Sequence, residues 1–173
     1  MGLIHIYCGD GKGKTTAAIG LAVRAAGAGM RVRFVQLLKG NDTSELNSLN
    51  LIPNITIDRC DDAYGFTFTM CDEDKKKITA CHNRILSEAL RLSENREIDL
   101  LIIDEFTAAY GCGLVDKTLA QRLVLNKPEA LELVLTGRNP DDCFVEAADY
   151  VSEIQAVKHP FDSGISARKG IEY

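Results

Sequence analysis

Residues 3–7 (LIHIY) are a short apolar run that stops at Gly9-Asp10-Gly11-Lys12-Gly13-Lys14-Thr15-Thr16, and residues 15–28, alanine-rich and free of proline, follow at once. No other stretch constrains the fold so strongly. A buried strand, a turn crowded with glycine and then a helix form the first half of a crossover unit. Gly27 and Gly29 stop that helix, and the next apolar run, 31–38 (RVRFVQLL), supplies the strand the crossover must reach. A strand, helix and strand joined this way lie parallel with a right-handed connection.

The same alternation continues. Residues 44–51 read as a short helix and 55–58 as a strand, while 59–71, which hold Tyr64, Gly65, Phe66 and Phe68, lose all periodicity. Residues 72–95 carry Ile78, Ile85, Leu86, Ala89, Leu90 and Leu92 at helical spacing. Residues 99–103 (DLLII) are apolar nearly throughout, as in a strand at the centre of a parallel sheet. A helix over 116–125 capped by Asp116, a strand over 131–135, a helix over 140–148 and a last regular stretch over 150–157 complete the pattern. The tail 158–173 has little periodicity. The expected architecture is therefore α/β: a single doubly wound, mostly parallel sheet with helices on both faces, in one domain over 1–173, with ligands beyond the carboxyl ends of the strands.

Composition narrows the function classes. With 46% hydrophobic and 26% charged residues, the chain is an ordinary globular protein. A net charge of −5 argues against a broad nucleic-acid footprint, and Lys75-Lys76-Lys77 after Asp72-Glu73-Asp74 reads as a solvated helix start. No apolar run is long enough to span a bilayer. Cys8, Cys60, Cys71, Cys81, Cys112 and Cys143 show neither a C-x-x-C pair nor zinc-site spacing. With no leader ahead of the first strand, the expectation is six reduced thiols in a cytoplasmic protein. His5, His82 and His159 form no constellation with a serine or cysteine, so the chemistry is expected to need no protein nucleophile.

The glycine-rich turn carries the chemistry. Gly13-Lys14-Thr15 match the end of a Walker A loop, although Cys8 stands at its leading glycine position. Gly9, Gly11 and Gly13 allow backbone N–H groups to converge on phosphate at a helix N-terminus. Lys14 would reach the phosphates and Thr15 would ligate Mg²⁺, with Asp10, Lys12 and Thr16 completing the cradle. Asp104-Glu105 end an apolar strand where a second Mg²⁺ carboxylate belongs, and spacing alone does not choose between them. Arg138 falls at the carboxyl end of another strand, where a guanidinium suits phosphate.

Taken together, these motifs resemble the P-loop corrinoid adenosyltransferases. The matching stretches are the loop 9–16, Val35-Gln36-Leu37-Leu38-Lys39-Gly40, Gly65-Phe66-Thr67-Phe68, Asp104-Glu105-Phe106-Thr107, Leu135-Thr136-Gly137-Arg138, 158–164 (KHPFDSG) and 169–173 (KGIEY). The resemblance implies attack of corrinoid Co(I) on the 5′ carbon of ATP with loss of triphosphate. The acceptor is a cobalamin or an incomplete precursor, reduced by an external reductant or flavoprotein donor. It implies a homodimer, and a loop that holds ATP in reversed orientation with the ribose turned to cobalt. It makes Phe66 and Phe68 the aromatic pair on the corrin face that displaces the lower axial ligand. By spacing alone, that pair is one face of a short strand. The chain departs from the family pattern at Phe68, where Trp is common, and at Asp10, where Asn is. It also starts at its first strand, without the N-terminal extension of some members, which is expected to leave the corrinoid site more open to solvent. An ATPase switch and a small-molecule kinase are the competing readings of the loop.

Overall fold

The computed structural model describes residues 1–38, 43–60 and 70–172. Among these residues six strands alternate with helices in the order β1 (Ile4–Cys8), α1 (Lys14–Gly27), β2 (Val32–Gln36), α2 (Glu45–Leu49), β3 (Ile55–Arg59), α3 (Asp72–Glu94), β4 (Leu100–Asp104), α4 (Phe106–Gly111), α5 (Lys117–Leu125), β5 (Glu132–Thr136), α6 (Asp142–Ala147) and β6 (Tyr150–Glu153). They build one sheet in the order β3-β2-β4-β5-β1-β6, and every strand pair is parallel. Phe66 and Phe68 lie outside the described residues.

Burial follows from the patterning. β4 (LLIID) is buried at every position and sits between β2 and β5. Its side chains alternate between two cores. Leu101 and Ile103 join Leu133 and Leu135 under Leu86 and Ala89 of α3, Phe106 of α4, Leu123 of α5 and Phe144 of α6. Leu100, Ile102, Phe34 and Val134 face Ala18, Ala22, Ala25 and Ala26 of α1. Alanines along that stripe bring α1 close to the sheet, and this closeness fixes where the loop before it lies. Each fully buried leucine, isoleucine or phenylalanine contributes about 1.5–3 kcal/mol relative to exposure.

Several expectations carry over to the structure. Asp116 caps α5 by accepting from the Leu119 N–H at 2.8 Å. α3 begins with three acids, and exposed Lys77 pairs with Glu73 at 2.8 Å one turn away. Two features differ. α4 is a helix that six residues of mixed character (FTAAYG) do not announce, and Glu105 precedes it in a left-handed conformation with φ 60°. Cys60 and Cys81 form a disulfide, which corrects the expectation that all six cysteines are reduced thiols. Their sequence separation of 21 residues hides a pairing that the packing of β3 against α3 creates. Among the described residues, no helix is long and apolar enough to cross a membrane.

Candidate active site

The loop between β1 and α1 is shaped by the chain that follows β6. Ile154 donates its N–H to the Cys8 carbonyl at 2.8 Å and accepts from the Gly11 N–H at 2.7 Å. A Cβ on Gly11 would lie 2.7 Å from backbone atoms of Gln155 and Ile154, so only glycine allows this approach. Gly13 turns the loop into α1 at φ 127° and has no side chain to cap that helix, which suits the first-turn N–H groups to an anion. Cys8, at the leading position of the motif, is buried at the end of β1.

Lys14 Nζ donates to the Gly9 and Gly11 carbonyls at 2.7 and 2.8 Å, which holds its charge over the loop. Its pKa is lowered from the usual lysine value, first by burial and then by Arg138, while Glu105, Asp10 and Cys8 act in the opposite direction. Burial also pushes the Cys8 thiol up, with Glu153 adding to the effect and Lys14 opposing it.

Asp104, fully buried at the end of β4, accepts from Thr15 Oγ1 at 2.9 Å and from Thr136 Oγ1 at 2.6 Å. Thr136 Oγ1 in turn accepts from the Glu105 N–H at 2.9 Å. The ends of β4 and β5 and the start of α1 are thus tied through one carboxylate. A second tie runs from Thr107 Oγ1 to the Arg138 carbonyl at 2.7 Å. Gly137 between them has φ 141°, and a Cβ there would lie 2.2 Å from Thr107 Oγ1. That close approach sets the turn carrying Arg138.

These elements enclose a cavity of about 310 Å³ lined by residues 10–16, Glu105, Arg138, His159, Ile171 and Glu172. The structure therefore brings Asp10, Gly11, Lys12, Gly13, Lys14, Thr15, Thr16, Glu105 and Arg138 to one space. Gly9 and Asp104 stand behind it: Gly9 abuts Ile154, and Asp104 reaches the site through the Thr15 hydroxyl. Arg138 also approaches Asp10 at 3.8 Å, an exposed and weak pairing. Among the described residues, no group of three or more His, Cys, Asp or Glu side chains is placed to hold a metal. A second cavity of about 340 Å³ shares Thr15, Thr16, Ile171 and Glu172 with the first and extends towards Ser44, Glu45 and Ser48 at α2.

Sequence reasoning missed Ile154, Thr107 and the tail residues Ile171 and Glu172 as parts of this site. No local pattern marks Ile154, whereas Ile171 and Glu172 stand in the matching stretch 169–173 but line the cavity only because the tail folds back to the loop. Thr136 had two available signals: its place in the stretch Leu135-Thr136-Gly137-Arg138 and a hydroxyl at the carboxyl end of the strand that neighbours the one ending in Asp104.

The whole chain, residues 1–173, matches the family described as ATP:corrinoid adenosyltransferase BtuR/CobO/CobP. The corrinoid adenosyltransferase of Escherichia coli (strain K12) is 33% identical over 172 residues, covering 99% of this chain and 86% of that protein. That of Pseudomonas aeruginosa is 33% identical over 175 residues, covering 99% and 84%. The corrinoid adenosyltransferase CobA of Salmonella typhimurium is 34% identical over 175 residues, covering 99% and 86%. Among solved structures, domain III of the Thermotoga maritima replication initiation protein DnaA covers 88% of this chain and 53% of its own, at TM-score 0.37 and 15% identity, a likeness too slight to bear on fold or function. With a phosphate loop, a buried carboxylate behind it and relatives matched along 99% of its length, this chain belongs to the ATP:corrinoid adenosyltransferase family.

Proposed function

We propose that this protein transfers the 5′-adenosyl group of ATP to the Co(I) of a corrinoid and releases triphosphate. The family match over the whole chain carries this reading, and the cavity of residues 10–16 with Glu105 and Arg138 supplies the chemistry it requires. The cobalt electron pair forms the Co–C5′ bond as the C5′–O5′ bond breaks. Cobalt passes from Co(I) to Co(III), and the electron pair of the broken bond leaves on triphosphate. No protein nucleophile is needed. The barrier falls if the leaving charge is held, and that is the role we assign to Lys14, Arg138 and the backbone N–H groups of the loop.

The residues fit a hard divalent cation, because Thr15, Glu105 and Asp104 offer only oxygen donors at the phosphate side of the loop. Thr15 and Glu105 would hold Mg²⁺, with Asp104 orienting the Thr15 hydroxyl. Bound Mg²⁺ would supply charge neutralisation for the departing triphosphate. In this reading Phe66 and Phe68 deny cobalt its lower axial ligand, which eases reduction of Co(II) by an external reductant or flavoprotein. The protein works as a cytoplasmic homodimer.

The test is anaerobic incubation with chemically reduced cobalamin, Mg²⁺ and ATP. We expect a light-sensitive adenosylated corrinoid and an equal amount of triphosphate. Release of ADP and phosphate that persists without corrinoid would sink the reading in favour of an ATPase switch or a kinase. Lys14→Ala should lower kcat by about 100-fold or more, as removing a group that stabilises leaving charge does.

A further inference from the structure

Four of the six cysteines, Cys8, Cys71, Cys112 and Cys143, are free thiols, and Cys71 and Cys112 are exposed. The other two, Cys60 and Cys81, are bonded with Cα atoms 6.2 Å apart, a span that a disulfide bridges without backbone movement. Their surroundings differ. Cys60, directly after β3, is buried in the core beside α3. Cys81, on α3, is only partly buried, and Arg84 one turn further brings Nη2 to 3.8 Å from its sulfur. A positive charge therefore stands beside that sulfur.

We propose that Cys60 and Cys81 are a reversible dithiol–disulfide pair, opened and closed by exchange with a low-molecular-weight thiol, and that the closed form clamps the carboxyl end of β3 to α3. The proposal stands on the placement of these thiols and is independent of the adenosyl-transfer reading. In opening, an external thiolate attacks the sulfur of Cys81, the less buried of the two residues, and forms a mixed disulfide, and Cys60 leaves as a thiolate that takes up a proton. A second external thiolate attacks the small molecule's sulfur and releases Cys81 as a thiolate beside Arg84. Two external thiols are oxidised to their disulfide, and one protein disulfide is reduced to two thiols. Closing is the reverse: Cys81 attacks the oxidised small molecule, and Cys60, losing its proton, displaces the remaining small thiolate.

Two observations favour exchange over a permanent staple. A fold that keeps Cys71 and Cys112 exposed as thiols is suited to surroundings in which thiols persist, and there a cross-link with one partly buried partner turns over. The cross-link also sits where it has most effect on local order. Among the described residues β3 is an edge strand with β2 as its sheet neighbour, so its carboxyl end has support there from one side of the ladder.

The test uses the full-length Cys71→Ser/Cys112→Ser/Cys143→Ser variant, equilibrated with oxidised and then with reduced glutathione. After oxidised glutathione we expect intact mass to fall by two hydrogen atoms, with no glutathione adduct at Cys60 or Cys81. Tm should rise by about 5–10 °C, the shift a disulfide confers on a chain of this size. Amide exchange at residues 57–60 should slow. Millimolar reduced glutathione should reverse all three, and adding Cys81→Ser should abolish the shift. Free Cys60 and Cys81 thiols after oxidation, or a bond that survives reduced glutathione, overturns the reversible pair. A bond that forms and breaks with no change in Tm or exchange overturns the clamp. Alkylation and peptide mapping of the unsubstituted protein read the bond itself, so that arm does not depend on any variant folding.

Discussion

Lys14 shows how much of the site rests on single residues. Its side chain bridges the Gly9 and Gly11 carbonyls, and Arg138 is the second cause, after burial, of its lowered pKa. Lys14 must be protonated to hold a phosphate, so a lowered pKa makes ATP affinity fall on the alkaline side at a lower pH than the ordinary value of 10.5 would give. Arg138→Ala should separate two effects. Affinity near neutral pH should weaken by about 10- to 100-fold if the guanidinium makes a charge-assisted hydrogen bond to phosphate. The alkaline limb should move to higher pH, because a positive neighbour of Lys14 has gone. Calorimetric titration of ATP across the pH range reads both, and a limb that stays put would mean that Arg138 does not act on Lys14. Most of this was legible in advance, since a Gly-Lys-Thr turn between a strand and a helix leaves its side chains few other places to go. The difference between Asp104 and Glu105 was not: adjacent residues leave the end of a strand in different directions, and only the hydroxyls of Thr15 and Thr136 show which carboxylate turned inward.

At the scale of elements, α3 does more than cover the sheet. His82 on α3 is buried, and its two ring nitrogens meet different partners. The Leu38 N–H approaches Nε2 at 3.3 Å, and Nδ1 lies 2.9 Å from the Leu114 carbonyl. A donor on one side and an acceptor on the other require a neutral ring protonated at Nδ1. His82 thereby ties the end of β2, where Leu38 has φ 59°, to the segment after α4. Burial lowers its pKa from 6.5, with the Leu114 carbonyl opposing the shift. A histidine whose folded pKa lies below its unfolded one contributes stability that is fully present above the unfolded pKa and lost as pH falls through the folded value. His82→Phe should therefore be less stable near neutrality, by about 1–3 kcal/mol for the two backbone groups left without partners. It should also lose less stability on acidification to about pH 5 than the parent does. Urea denaturation at several pH values tests this, and an unchanged acid slope would remove the assignment. The sequence marked α3 clearly by its stripe of aliphatic residues. It did not mark α4, because six residues offer too little periodicity to separate a helix from a loop.

For the whole molecule, the parallel sheet follows from alternation, but its edges raise a further expectation. Every residue of β6 is exposed, including Tyr150 and Val151, and Phe161 in the tail is 76% exposed. The homodimer we propose would cover apolar surface of this kind, and sedimentation equilibrium should then give twice the chain mass of 19.0 kDa. A single-chain mass at micromolar concentration would exclude a stable dimer. The amino-acid sequence by itself determined the α/β alternation, the buried centre at β4, the phosphate loop and its lysine, because each depends on neighbours within a few positions along the chain. Only the tertiary structure decided the strand order, the Ile154 support that makes Gly11 obligatory, the inward turn of Asp104 and the meeting of Cys60 with Cys81. Those contacts join residues far apart in the chain, and their energies depend on packing and burial that no local pattern encodes.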